Sequence, residues 1–177
     1  IVDRLEKPEI LFLGPDEGTA EFMDWGAEHA RKRGAPWWKS FTTGKSAATL
    51  GGVPHDRYGM TTQSIREYVY GILRKSELQE ESITKVQTGG PDGDLGSNEI
   101  LLSKDKTVAV IDGSGVVHDP QGLDREELMR LARARKTVAH FDVSKLGKDG
   151  YLVLVEDRHL TLPSGEMVPD GLSLIHI

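Results

Sequence analysis

Three glycines at a spacing of three, Gly90, Gly93 and Gly96, stand in the run Gly90-Pro91-Asp92-Gly93-Asp94-Leu95-Gly96. Residues without a Cβ let a backbone turn tightly, approach a pyrophosphate closely and aim helix-terminal N–H groups at it. Asp112 follows 22 residues after Gly90, and a carboxylate about 20 residues beyond such a turn can accept hydrogen bonds from an adenosine ribose. The next residues, Gly113-Ser114-Gly115, include no Arg or Lys to neutralise a 2′-phosphate, so the pattern favours NAD over NADP. Two features depart from the common fingerprint. A pair of residues separates the first two glycines where one is usual, and Asp92 and Asp94 would repel an anion if they pointed inward. A tight acidic surface turn is the competing reading. A calcium loop fails on spacing, because an EF-hand opening at Asp92 would need a ligand at Gly96 and an acid at Ser103.

Other candidate chemistries are thinner. Thr43-Gly44-Lys45-Ser46 ends like a phosphate-binding P-loop, but the glycine required five positions before Gly44 is Lys39, and no strand precedes it. The histidines, His29, His55, His118, His140, His159 and His176, lack any His-x3-His ligand spacing, and there is no cysteine. Disulfides, thiolate catalysis and Cys-ligated zinc are therefore excluded, and no metal site is expected. A net charge of −6 and a pI near 5.5 remove the electrostatic footprint of a nucleic-acid binder. No run approaches the ~18 consecutive apolar residues of a membrane span, so neither nucleic acid nor membrane is an expected partner.

The elements that must position these residues follow from periodicity. Ile10-Leu11-Phe12-Leu13 reads as a strand entering the loop Gly14-Pro15-Asp16-Glu17-Gly18, and a helix is predicted from Thr19 with Phe22, Trp25 and Ala30 near one face and Gly34 just past its end. Residues 36–60 are broken by Pro and Gly, and a loop of that length is usually functional. A second helix is predicted over Thr62 to Lys75, burying Ile65, Tyr68, Val69 and Ile72, with Ser64 and Glu67 resembling a capping box. A strand at Ile83 to Gln87, the glycine turn, a helix at Ser97 to Ser103 and a strand at Thr107 to Ile111 make up a βαβ unit. An amphipathic helix over Asp124 to Lys136 presents Leu128, Met129 and Leu131. A hairpin is expected from Tyr151 to Val155 and His159 to Leu162.

Three segments in order carry a family pattern: Gly14-Pro15-Asp16-Glu17-Gly18-Thr19, then Thr43-Gly44-Lys45 with Leu50-Gly51-Gly52, then the nucleotide turn with Ile111-Asp112-Gly113-Ser114-Gly115 and Asp119-Pro120-Gln121-Gly122-Leu123-Asp124. Over about residues 7–172 the chain resembles the large-subunit NAD-specific glutamate dehydrogenases of the Glu/Leu/Phe/Val dehydrogenase superfamily. The resemblance implies that Asp16 is the catalytic aspartate, a proton shuttle while hydride leaves the α-carbon for nicotinamide. It also implies that Thr61 lies at the cleft near the cofactor, although its bland reading is a helix N-cap. Gly90, Gly93, Gly96 and Asp112 match the cofactor turn and ribose acid. Arg57 is displaced by one residue from the family's arginine. A related leucine, valine or phenylalanine dehydrogenase, or a non-catalytic nucleotide-binding regulatory module, are the alternatives.

The expected fold is therefore α/β. Residues 1–60 would be the end of a substrate domain with its catalytic loop, and residues 61–177 a partial Rossmann-like NAD-binding domain with a β-hairpin insertion near 151–168. The expected cofactor is NAD, and the small-molecule partners are L-glutamate, 2-oxoglutarate and ammonium. The expected parent is a homo-oligomer, cytoplasmic or mitochondrial and not secreted. The family's Gly-Gly-x-Lys-Gly-Gly segment, with its substrate lysines, does not precede Asp16, so the 177 residues alone are expected to be an inactive internal fragment. Leu172 to Ile177 depart from the family and are expected not to be native sequence.

Overall fold

The computed structural model describes residues 20–53 and 55–170. The expected strand at Ile10 to Leu13, the loop with Asp16, the start of the first helix at Thr19 and the residues beyond 170 lie outside them. The chain divides into two compact units between Tyr58 and Gly59.

In the first unit, helix α1 (Ala20–Lys32) ends as its basic last turn and Gly34 predict. Gly34 takes the left-handed conformation at φ 75°. Its N–H donates to the Arg31 carbonyl while the Ala35 N–H donates to Ala30, the paired bonds of a Schellman cap. Gly26, Ala27 and Ala30 are the buried face, and Phe22 and Trp25 are exposed, contrary to expectation. Small residues on that side let the loop that follows approach closely: Met23 lies against Gly44, and Asp24 accepts hydrogen bonds from the Ser46 amide and hydroxyl. Two short helices, α2 (Ala47–Leu50) and α3 (His55–Tyr58), interrupt this loop. Lys45 is buried and donates to the carbonyls of Lys39 and Thr42, so its ammonium closes a loop rather than reaching into a phosphate cradle.

The second unit opens with α4 (Met60–Lys75), followed by β1 (Thr84–Thr88), α5 (Asp94–Leu102) and β2 (Lys106–Asp112). Strands β1 and β2 pair in parallel, as a right-sized crossover through α5 requires. Next come β3 (Gly115–His118), α6 (Arg125–Ala134), β4 (Tyr151–Leu154), β5 (Arg158–Thr161) and β6 (Met167–Asp170). The sheet order is β1-β2-β3-β4, with β2–β3 and β3–β4 antiparallel, so this α/β unit has a mixed sheet. Its core joins Ile100 of α5, Val110 and Val117 of the sheet, Leu128 and Leu131 of α6, and Val138 and Phe141.

Two expectations need correction, and residues 115–118, to which the sequence reading assigned no element, form strand β3. Tyr151–Leu154 does not pair with Arg158–Thr161. It joins β3, where Val153 is buried in the sheet, while Arg158–Thr161 pairs with Met167–Asp170. Finally, α4 is turned over. Ile65, Tyr68 and Ile72 are exposed, Tyr68 at 78%, whereas Thr62, Arg66 and Leu73 are buried. Apolar spacing identifies a helix but cannot anticipate a buried arginine whose partners are distant in sequence.

Candidate nucleotide-binding site

The glycine-rich turn sits between the end of β1 and the start of α5, beside the end of β2. The Gly89 N–H donates to the Ile111 carbonyl at 2.9 Å, fixing the turn to the strand that ends at Asp112. Gly90 is packed so that a Cβ there would lie 2.4 Å from oxygens of both Asp112 and Asp92. At Gly96 a Cβ would lie 2.1 Å from the Gly90 carbonyl oxygen and 2.6 Å from that of Gly89. The first-turn residues of α5 therefore lie directly against the turn. Gly93 is the N-cap and has no side chain with which to cap the helix. A cradle closed to side chains, with helix-terminal N–H groups at its mouth, fits an anionic pyrophosphate.

Of the two aspartates in the turn, Asp92 keeps a carboxylate oxygen beside Gly90, whereas the Asp94 carboxylate is held by a cation. Asp94 pairs with Arg135, whose Nη1 lies 2.5 Å from its carboxylate. Arg135 caps the C-terminus of α6 in the left-handed conformation at φ 51°, a backbone arrangement that is uncommon for a non-glycine residue. The same guanidinium donates to the Asp92 carbonyl. Sequence reading missed Arg135, since its partners lie 41 to 43 residues away; a non-glycine residue just past a helix's last apolar position was the only local signal.

Asp112 is 7% exposed. One oxygen accepts from the Ser114 amide at 2.8 Å and hydroxyl at 2.6 Å, and the other accepts from the Val138 amide at 2.7 Å. An ionised carboxylate has about four lone-pair positions, so most of its accepting capacity holds the β2–β3 turn and the 138–140 helical turn in place. Thr61 is exposed in the first turn of α4. It is not the N-cap, which is Gly59, and Ser64 with Glu67 lies inside the helix rather than at a capping box. The neighbouring Thr62 hydroxyl donates to the Leu95 carbonyl at 3.2 Å, and Gly59 abuts Asn98. The N-termini of α4 and α5 thus meet at the glycine turn, bringing Thr61, Gly90, Gly93, Gly96 and Asp112 to one end of the unit. Arg57 belongs to the first unit, and Asp16 lies outside the described residues.

Among the described residues no group of three or more His, Asp or Glu could hold a metal ion, and no helix is long and apolar enough to cross a membrane.

Comparison with known proteins gives these features a family. An NAD-specific glutamate dehydrogenase of Neurospora crassa is 64% identical over 171 residues, covering 97% of this chain and 16% of that protein. The NAD-specific glutamate dehydrogenase of Saccharomyces cerevisiae is 55% identical over 172 residues, again covering 16% of its own length. The crystal structure of the hetero-hexameric glutamate dehydrogenase from Thermus thermophilus, in its Leu-bound form, superimposes with a TM-score of 0.52 at 26% identity, covering 70% of this chain and 30% of that one. The chain thus spans about 16% of the length of these curated relatives. The model for glutamate/leucine/phenylalanine/valine dehydrogenase matches residues 51–169, more than half of the sequence, and the protein belongs to that family.

Proposed function

We propose that this chain contributes the start of the NAD-binding domain, and the catalytic loop that precedes it, to an NAD-dependent glutamate dehydrogenase. The parent reaction converts L-glutamate, NAD and water into 2-oxoglutarate, ammonium, NADH and a proton. The observation that carries this reading is the turn at Gly90 to Gly96, closed to side chains and set at the start of α5, where the N-cap is a glycine. Family membership and the names of relatives that align with nearly the whole chain favour glutamate over leucine, valine or phenylalanine. When bound, the nicotinamide supplies the hydride acceptor.

The chain's own residues do the rest. Gly90, Gly93 and Gly96 let the backbone approach the pyrophosphate, and the first turn of α5 directs N–H groups at it. Asp112 holds the turn next to the cradle and offers its remaining acceptor position to the ribose. Thr61, exposed at the start of α4, contacts the cofactor from the cleft side. Asp16 moves protons between amine and water at the reacting carbon. A partial Rossmann-like domain is the architecture this requires, within a homo-oligomeric parent.

Replacing Asp16 with Asn in the full-length protein tests the assignment. Turnover should fall by at least ~10²-fold, the usual scale of lost general acid–base catalysis, with NADH affinity measured by fluorescence nearly unchanged. Turnover at the wild-type rate would overturn the role given to Asp16.

A further inference from the structure

Arg66 is a charged residue at 4% exposure on a helix that leaves Ile65, Tyr68 and Ile72 exposed. One guanidinium nitrogen donates to both oxygens of Glu99 on α5, at 3.1 and 3.2 Å. The other donates to Glu80 at 2.7 Å and to the Tyr70 hydroxyl at 2.5 Å, and the guanidinium lies 4.9 Å from the Tyr70 ring centre. The network extends further. Lys85 of β1 donates to Glu99, to Ser103 and to Asp105, each at 3.0 Å, and Asp105 accepts from Thr107 of β2. The Lys104 amide adds a bond to Glu80. One buried cluster therefore ties α4 to every element of the β1–α5–β2 unit.

Burying such a group is costly, and well-packed apolar side chains of similar volume are often as stable or more so. Stability is thus a weak account of Arg66; placement is a better one. Thr62 meets Leu95, and four residues later on each helix Arg66 meets Glu99. One turn of α4 is fastened to one turn of α5 at both ends, so the helices run parallel and their N-termini coincide. Burial alone would lower the guanidinium's pKa, but bonds to Glu80 and Tyr70 and the charge of Glu99 more than offset it and hold it above its ordinary value. The clamp therefore remains charged throughout the working pH range.

We infer that Arg66 is a positioning residue for the dinucleotide: it holds the α4 N-terminus, with Thr61, against the glycine turn at the α5 N-terminus. The inference rests on the nucleotide site proposed above. Its partner chemistry is specific to the planar, forked guanidinium, which Lys cannot reproduce.

The test is Arg66→Lys in the full-length protein, which keeps the charge and loses the fork. NADH affinity and the KM for NAD should each worsen about tenfold, the effect of ~1.4 kcal/mol, with the KM for glutamate and the far-UV circular dichroism unchanged. Simple destabilisation would lower the active fraction without moving the KM for NAD. Glu99→Gln approaches the same contact from α5 and should weaken NADH binding in the same direction, and the double variant should be less than additive. If Arg66→Lys fails to fold, Glu99→Gln alone decides the matter. Wild-type NADH affinity in a folded Arg66→Lys or Glu99→Gln protein overturns the inference and leaves the nucleotide site standing. Failure of the wild-type protein to bind NADH overturns both.

Discussion

Gly96 is the position at which a single carbon decides the site. Its virtual Cβ meets two carbonyl oxygens of the turn's own backbone, so no rotamer change relieves the clash. Either α5 moves away from β1 or the turn opens, and both displace the amides that face the ligand. Gly96→Ala should destabilise by about 1–3 kcal/mol, the usual cost of forced overpacking. It should also weaken NADH binding by about tenfold or more, measured by fluorescence titration. Gly113→Ala is the control, because a Cβ there meets nothing within 4 Å, and its affinity should remain that of the wild type. Equal affinities for the two variants would show that the turn does not approach the dinucleotide. Asp112 differs in kind. Its place at the end of β2 was legible from spacing, but its Val138 donor was not, since that residue lies 26 positions away.

At the scale of elements, α6 illustrates how one carboxylate fastens a helix to the segment that follows it. Glu127, buried in the helix's first turn, accepts from Arg130 Nε at 2.7 Å and Nη2 at 2.6 Å, and from the Asp142 amide at 2.8 Å. The Arg130 hydrogen bonds hold its pKa below the ordinary carboxylate value against the opposing effect of burial. A lowered folded-state pKa gives stability that is present above the unfolded value, ~4.3 for Glu, and is lost as pH falls through the folded value. Glu127→Gln should therefore lower the melting temperature at pH 7, and the gap from wild type should close below about pH 4. A gap that is constant with pH would mean that charge plays no part. The same helix was readable from sequence, because Leu128 and Leu131 are both local and apolar. By contrast, α4 was read with the wrong face inward. Glu80 and Glu99, which draw Arg66 inside, are 14 and 33 residues away, and no helical period reports on them. Likewise β4 was assigned to its neighbour in sequence, although its true partner, β3, precedes it by a whole helix.

At the scale of the molecule, binding and chemistry have different requirements. In the proposed site, binding a dinucleotide needs the turn, the start of α5, the end of β2 and the start of α4, held together by backbone and side-chain bonds within one unit. Oxidising an amino acid further needs a cation to grip the substrate carboxylate and another to polarise the forming carbonyl. No lysine pair in a Gly-Gly-x-Lys-Gly-Gly context occurs in the 177 residues. The chain also spans only 16% of the length of relatives named as NAD-specific glutamate dehydrogenases. Positioning contributes as much as ~7–11 kcal/mol to a bimolecular reaction, and that share vanishes when one reactant is not held. The 177-residue polypeptide, mixed with glutamate and NAD, should therefore form no NADH above the uncatalysed background, followed by absorbance at 340 nm over hours. The full-length protein under the same conditions should form it readily. Glutamate-dependent NADH production by the short chain would mean that substrate is gripped by residues within it, and Lys45, whose buried ammonium is held by the Lys39 and Thr42 carbonyls, would be the first group to examine.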